Sequence, residues 1–93
     1  MRRRHHFHID HLGHSVTATV ETGRRSVLEV LVDGKETGYT TAAGDRPLTA
    51  AVELPTEPPR TVTVRAVHGP GVPRCLLLPD EGEEPLVMAP RAY

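Results

Sequence analysis

The chain has 93 residues, a formal net charge of −1, one cysteine and only three aromatic side chains. This length suits a single small domain, and the near-neutral charge gives no general attraction for polyanions. Because few aromatic rings are present to stack on bases, the composition disfavours nucleic-acid binding, and we expect no nucleic-acid partner.

Other features of the composition concern where the protein works. Arginine occurs ten times against a single lysine, and asparagine and glutamine are absent, a codon bias typical of a GC-rich bacterial genome. No apolar run approaches the ~20 residues that span a bilayer, and no hydrophobic segment follows the opening MRRRHH. We therefore expect a cytoplasmic protein without a membrane partner. The lone Cys75 allows no internal disulfide and is interpreted as a core residue, not a reactive thiol.

The amino-terminal quarter predicts a short arm followed by a hairpin. Residues 1–4 are charged and are expected to form a disordered arm. Apolar and polar residues alternate over 6–10 and again over 14–21, which is the pattern of half-buried strands. The HLGH segment between them suits a tight turn because Gly13 can adopt a positive φ.

The most strongly patterned stretch covers residues 26–39, SVLEVLVDGKETGY. Its first part consists almost entirely of strand-forming residues and runs into Asp33-Gly34, a strong hairpin signal. A strand that is apolar on both faces suits the middle of a sheet. We therefore predict that it is the central strand and that its hairpin partner covers 36–41.

Short strands separated by turns are predicted through the carboxyl-terminal half. They cover 48–54, 61–67, 74–78 and 86–88. The segment PTEPPR at 55–60 carries three prolines, which exclude an inner strand. We interpret it as a rigid connection that could cross between two sheets.

The predicted fold is all-β, because no segment shows the 3.6-residue apolar period of a helix and turn signals recur about every 8–12 residues. We expect a single antiparallel β-sandwich of about seven or eight strands over residues 5–93, without substantial helix. Its predicted core consists of valines and leucines: Val16, Val20, Leu28, Val30, Val32, Val52, Leu54, Val62, Val64 and Leu77.

Histidines cluster near the amino terminus, at His5, His6, His8, His11 and His14. On a strand, His6 and His8 share one face at a spacing of about 7 Å, and Asp10 extends that face. Such ligands suit Zn²⁺, Ni²⁺ or Cu²⁺, with His14 or Thr17 from the next strand completing the site. Two alternatives stay open: exposed histidines that bind metal only adventitiously, and a pH-sensing face that titrates near the histidine pKa of ~6.5.

Several families share short motifs with this chain. Phe7-His8-Ile9 followed by Gly13 resembles part of the F-H-V-H-x-x-G strand of copper/zinc superoxide dismutases, and His6-Phe7-His8 is similar to the His-x-His of cupins. Asp10 replaces the second dismutase histidine, and the Gly-rich strand and glutamate of cupins are missing, so neither family is assigned. The VLVDGKE hairpin is similar to those of small sandwiches such as Fas apoptotic inhibitory molecules. As a whole, the chain resembles the short, uncharacterised β-sandwich proteins of GC-rich bacterial genomes, which implies a fold and no known activity.

Motifs for hydrolysis or phosphate binding are missing from the sequence. Neither Ser15 nor Ser26 lies in a G-x-S-x-G motif, and no P-loop follows a predicted strand. We therefore expect a small, intracellular, non-catalytic binding or interaction module and no enzyme. An exposed edge strand would allow it to form a homodimer. The alternative is a transition-metal-binding protein that uses the histidine-rich hairpin.

Overall fold

The chain folds into nine strands over the residues that the computed structural model describes, which are 3–44, 46–68, 71–79 and 83–91. In chain order the strands are β1 (Arg3–His11), β2 (His14–Thr22), β3 (Arg25–Val32), β4 (Lys35–Ala43), β5 (Leu48–Leu54), β6 (Arg60–Val67), β7 (Arg74–Leu78), β8 (Leu86–Val87) and β9 (Ala89–Arg91). These described ranges contain no helix that could cross a membrane.

The strands form two antiparallel sheets that pack face to face. The five-stranded sheet has the order β4-β3-β2-β1-β9, and the four-stranded sheet has the order β5-β6-β7-β8. The predicted all-β antiparallel sandwich without substantial helix is therefore confirmed. Nine strands replace the expected seven or eight because the chain changes sheets at Met88. That change divides the predicted strand 86–88 and places residues 89–91 in the other sheet.

The core lies between the two sheets and is built by strict alternation along the strands. All ten residues predicted for it are buried, as are Phe7, Leu48 and Met88. Cys75 also lies in this core, as expected, and its burial raises the pKa of the thiol to about 12. The period of two in the sequence was sufficient to identify the buried faces of β1, β2, β3, β5 and β6, whereas β4 contains no buried residue.

Two predictions about the first sheet need correction. The supposed arm at 1–4 lies partly in β1, because Arg3 pairs with Thr22 and the Arg4 Nε donates to the Glu21 Oε1 at 2.8 Å; Met1 and Arg2 lie outside the described residues. The strand that was expected to be central, β3, lies second from the edge. The central position belongs to β2, because the carboxyl-terminal β9 adds to the far side of β1.

The proline-rich segment 55–60 does not cross between sheets, as it was expected to do. It joins β5 to β6, which are neighbours in the four-stranded sheet. The two crossings lie elsewhere, between β4 and β5 and at Met88 between β8 and β9. One crossing lies on each lateral side of the sandwich, and the two sides have different structures.

The side formed by β4 and β5 is tightly closed. A Cβ added at Gly38 would lie 2.8 Å from the Val52 Cγ1 and 3.3 Å from the Ala50 Cβ, so only glycine permits this approach of the two strands. The Thr40 hydroxyl donates to the carbonyl oxygen of Thr49 at 2.9 Å and joins the two sheet edges. Small side chains therefore let the two sheets converge here.

Two hairpin turns lie side by side at one end of the five-stranded sheet. Leu12-Gly13 and Asp33-Gly34 have positive φ at both positions, as in type I′ turns, which confirms the predicted Asp-Gly hairpin. Asp33 joins the turns: its amide donates to the Ser15 carbonyl oxygen at 2.8 Å, and its Oδ1 accepts from the Ser15 amide at 3.0 Å. The neighbouring hairpins are thereby fixed to each other.

Candidate functional site

The outer face of the five-stranded sheet carries most of the polar chemistry of the molecule. We call it the histidine face, and it consists of the outward side chains of β1 to β4: Arg4, His6, His8, Asp10, Ser15, Thr17, Thr19, Glu21, Val27, Glu29, Leu31 and Tyr39. As predicted, His6, His8 and Asp10 share this face, while Phe7 is buried on the other. The alternation of the β1 sequence is the cause, because successive side chains point to opposite faces of a sheet.

His8 has protein partners at both ring nitrogens. Its Nδ1 lies 3.2 Å from the Arg91 Nη2, and its Nε2 lies 2.9 Å from the Ser15 Oγ and 3.3 Å from the Asp10 Oδ1. Because a guanidinium can only donate, Nδ1 accepts and the hydrogen of the neutral ring lies on Nε2. A metal ion at His8 would therefore have to displace Arg91 or take the place of that Nε2 hydrogen.

His6 and the strands beside it form a shallow depression in the histidine face. The His6 Nδ1 lies 3.2 Å from the Thr19 Oγ1 of the neighbouring strand. The depression has a volume of about 390 Å³, and half-buried Val27 and Leu31 form part of its lining. Tyr39 borders it and is 59% exposed. The arrangement provides an aliphatic floor, an aromatic side and polar walls.

A charged pair lies at one end of this depression. Arg4 and Glu21 form a salt bridge at 2.8 Å, and the hydrogen bond to the Glu21 carboxylate raises the pKa of the Arg4 guanidinium. Glu29 lines the same depression. The charges at the border are therefore of both signs, which suits a partner surface of mixed polarity better than a uniformly charged ligand.

His14 does not join the other predicted metal ligands. It pairs with His11 across the hairpin turn. Along β2 it is in phase with the inward residues, so it belongs to the inner side of the sheet, whereas His6, His8 and Asp10 point outward. Its Nδ1 donates to the Asp33 Oδ2 at 2.7 Å, and this bond and the Ser15 amide lower the pKa of the Asp33 carboxyl. Across the described ranges, no three His, Cys, Asp or Glu side chains form a group that could hold a metal ion.

A second concave site, which sequence analysis missed, lies on the lateral side formed by β8 and β9. We call it the edge groove, and it is lined by Phe7, Val67, His68, Val72, Pro73, Arg74, Cys75, Leu76, Val87, Met88 and Pro90. Its volume is about 880 Å³. The residues come from both ends of the chain, so no local pattern could have identified it.

His68 is the unusual residue of the edge groove. Its Nε2 is buried, and the described residues supply no hydrogen-bond partner for it. A buried polar atom without a partner typically costs about 1–3 kcal/mol. Buried polar groups are normally bonded, so an unsatisfied one needs an explanation, and an apolar concave site with a few polar groups is the usual setting of a bound ligand.

Comparison of the chain with protein-family models, curated proteins and solved structures gives no match in any of the three. This result agrees with the sequence analysis, in which no characterised family fitted the whole chain. Function must therefore be inferred from the two concave sites themselves.

Proposed function

We propose that the protein is a small, intracellular, non-catalytic binding module whose partner-binding surface is the histidine face. The observation that carries this proposal is the depression between β1 and β4, where half-buried Val27 and Leu31 lie beside the exposed ring of Tyr39. Tyrosine and arginine dominate the energetics of protein interfaces, and Tyr39 and Arg4 occupy opposite borders of this surface.

The size of the histidine face supports a protein partner. Strands β1 to β4 contain eight or nine residues each. With strands about 4.8 Å apart and a rise of about 3.3 Å per residue, they present a projected area of roughly 500–600 Å². This is of the same order as the ~800 Å² that each partner buries in a standard interface. A second copy of the chain is the simplest partner, since a face with charges of both signs can pair with the same face of another copy in a two-fold contact.

A homodimer through an edge strand, as the sequence suggested, has less support than a dimer through the face. Pro90 of β9 lies opposite Phe7 of β1, and the backbone N–H and C=O of Phe7 point toward β2 on its other side. The backbone nitrogen of Pro90 therefore points away from β1, to the outer edge of β9. Because proline has no N–H, this position offers no hydrogen-bond donor to a further strand. The edge strand β8 has only two residues, and β4 lies against β5. These features limit the addition of a further strand.

Sedimentation velocity over a range of protein concentrations tests this proposal. We expect reversible dimers whose affinity falls at least tenfold in Tyr39→Asp, because the change replaces the exposed aromatic ring at the border of the depression with a charge. Leu12→Asp is the matched control, since Leu12 is similarly exposed but lies on a hairpin turn. Equal dimerisation of Tyr39→Asp and the wild type would contradict a dimer through the face. A monomer at all concentrations would exclude self-association.

The second candidate function is binding of Zn²⁺, Ni²⁺ or Cu²⁺, and it is favoured by the 3.3 Å approach of the His8 Nε2 to the Asp10 Oδ1, with His6 on the same face. Amide-correlation NMR during titration with Zn²⁺ and then Ni²⁺ tests it. Saturable shifts at stoichiometric metal, lost in His8→Ala and retained in His11→Ala, would support a built site. Broadening only at high excess of metal would reduce the histidines to adventitious ligands.

A further inference from the structure

The edge groove has the properties of a small-molecule site, independently of the histidine face. Its volume of about 880 Å³ lies within the ~300–1,000 Å³ of typical ligand pockets. Its lining is mostly aliphatic, and Val72 and Val87 remain 65% and 71% exposed on its borders. Apolar side chains at such positions gain most from a ligand that removes them from water.

The polar groups of the edge groove are few. Arg74 supplies a cation and His68 supplies the buried Nε2 that has no partner among the described residues. An adjoining depression shares Phe7, Val72 and Pro90 with the groove and adds the side chain of Arg91. None of the described residues that line either depression is acidic.

This distribution of charge selects the ligand class. A cation beside an apolar groove whose described lining contains no carboxylate favours an anion, although the whole chain has a net charge of −1. A carboxylate could accept a hydrogen bond from Arg74 and another from an Nε2–H of His68, and charge-assisted bonds of this kind are the strongest that side chains form. The aliphatic walls would accommodate an alkyl chain.

We propose that the edge groove binds an amphipathic carboxylate, with the alkyl chain along Val72, Val87 and Met88 and the carboxylate between His68 and Arg74. Because the His68 Nε2 is buried, the carboxylate reaches it only if the imidazole ring turns toward the groove, and the ligand would then supply the acceptor that this atom lacks among the described residues. It would also cover the apolar side chains that line the groove beside β8 and β9. This proposal does not depend on partner binding by the histidine face.

The test is titration of the full chain with octanoate and, separately, with 1-octanol, which has the same alkyl length without the charge. Amide-correlation NMR should show saturable shifts confined to residues of the edge groove, with octanoate bound about tenfold more tightly than 1-octanol. Equal affinities for the two probes, shifts spread over both outer faces, or a response that does not saturate would overturn the proposal.

Four variants test whether octanoate binds in the edge groove. Arg74→Gln should weaken octanoate binding about tenfold and 1-octanol binding less than twofold. Val87→Asp should abolish binding of both probes without a change in the unfolding midpoint, since Val87 is exposed. Two controls, Leu12→Asp and Tyr39→Asp, lie outside the groove and should bind octanoate as the wild type does. Full octanoate affinity in both Arg74→Gln and Val87→Asp would place the ligand elsewhere and overturn the proposal.

His68→Leu separates a binding role from a structural role. Because the change removes a buried polar atom that has no partner among the described residues, the unfolding midpoint should stay constant or rise. The affinity for octanoate should nevertheless fall about fivefold. A lower midpoint with unchanged octanoate affinity would show that the Nε2 serves the fold and would remove His68 from the proposed site.

Discussion

The chain passes from one sheet to the other on each lateral side of the sandwich, and the two sides are built differently. On the β4/β5 side, Gly38 and Ala50 allow the strands to come together, and the Thr40 hydroxyl bridges them. On the β8/β9 side, the chain passes through Met88, whose amide donates to the Cys75 carbonyl oxygen at 3.0 Å, and an open groove remains. Small residues close the β4/β5 side, whereas the β8/β9 side carries a groove lined by larger apolar side chains.

The difference between the two lateral sides shows where a domain of this size can accommodate a ligand. A chain of 93 residues buries one apolar layer and has little volume for an internal cavity. Space for a ligand is found in the groove on one lateral side of the sandwich, beside the crossing at Met88. The comparison can be tested by changing each side in turn.

The largest loss of stability is expected for a substitution on the β8/β9 side of the sandwich. Phe7 is buried beneath the edge groove, and Phe7→Ala should lower the free energy of unfolding by about 3–5 kcal/mol, because it removes packing and enlarges a cavity. Urea denaturation measures this change, with Val87→Ala as the exposed control, expected within about 0.5 kcal/mol of the wild type. A loss below about 1 kcal/mol for Phe7→Ala would show that the groove side contributes little to stability.

The closed side should be sensitive to the addition of a single methyl group. Gly38→Ala should destabilise the protein by about 1–3 kcal/mol, because its Cβ would overlap the Val52 Cγ1. In a Val52→Ala background the same change should cost clearly less, since the opposing methyl group is gone. Urea denaturation of the four proteins in this double-mutant cycle provides the measurement. Strict additivity of the two changes would refute the close approach of β4 and β5.

A smaller effect is expected for the hydrogen bond that bridges the closed side. Thr40→Val keeps the shape of the side chain but removes the donor to the Thr49 carbonyl oxygen, and should cost about 0.5–1.5 kcal/mol. Thr40→Ser is the matched control, since it retains the hydroxyl. Thermal unfolding of both variants measures the difference, and equal midpoints would exclude a stabilising role for the bond.

The smallest effect should come from Asp33, which joins the two hairpin turns and belongs to neither side. The hydrogen bonds with His14 and Ser15 lower the pKa of the Asp33 carboxyl in the folded protein. The ionised carboxylate therefore stabilises the fold above the usual Asp pKa of ~3.9, and this stabilisation is lost as the pH falls through the lower pKa of the folded state. Asp33→Asn keeps a residue that tolerates the positive φ. The variant should be less stable than the wild type at neutral pH, and the difference should shrink in acid. A constant difference across the pH range would contradict the assignment.

The sequence predicted those features that depend on local alternation. The bounds of β5 and β7, the buried set that includes Leu28 and Val64, and the Asp33-Gly34 turn are all as expected. The position of β3 was predicted wrongly because strand order is decided by the distant β9, which shows no local signal in the sequence.

In the candidate sites too, features that depend on local alternation were predictable and features that depend on distant residues were not. The shared face of His6, His8 and Asp10 followed from the period of two, and it is what the structure shows. The place of His14 follows from the same period, because His14 is in phase with the inward Val16 and Ala18, and the predicted metal site did not take this into account. The edge groove brings Phe7 close to Met88, and no argument from spacing could join residues so far apart in sequence.

The pairing of β9 with β1 has a consequence for the order in which the chain folds. Strands β1 to β4 are sequential hairpins, so their contacts close short loops and can form as the chain emerges during synthesis. The contact between His8 and Arg91 spans 83 residues and must wait until the four-stranded sheet has been made. Until then the outer edge of β1 is unprotected, and slowing the arrival of β9 should favour aggregation through that edge.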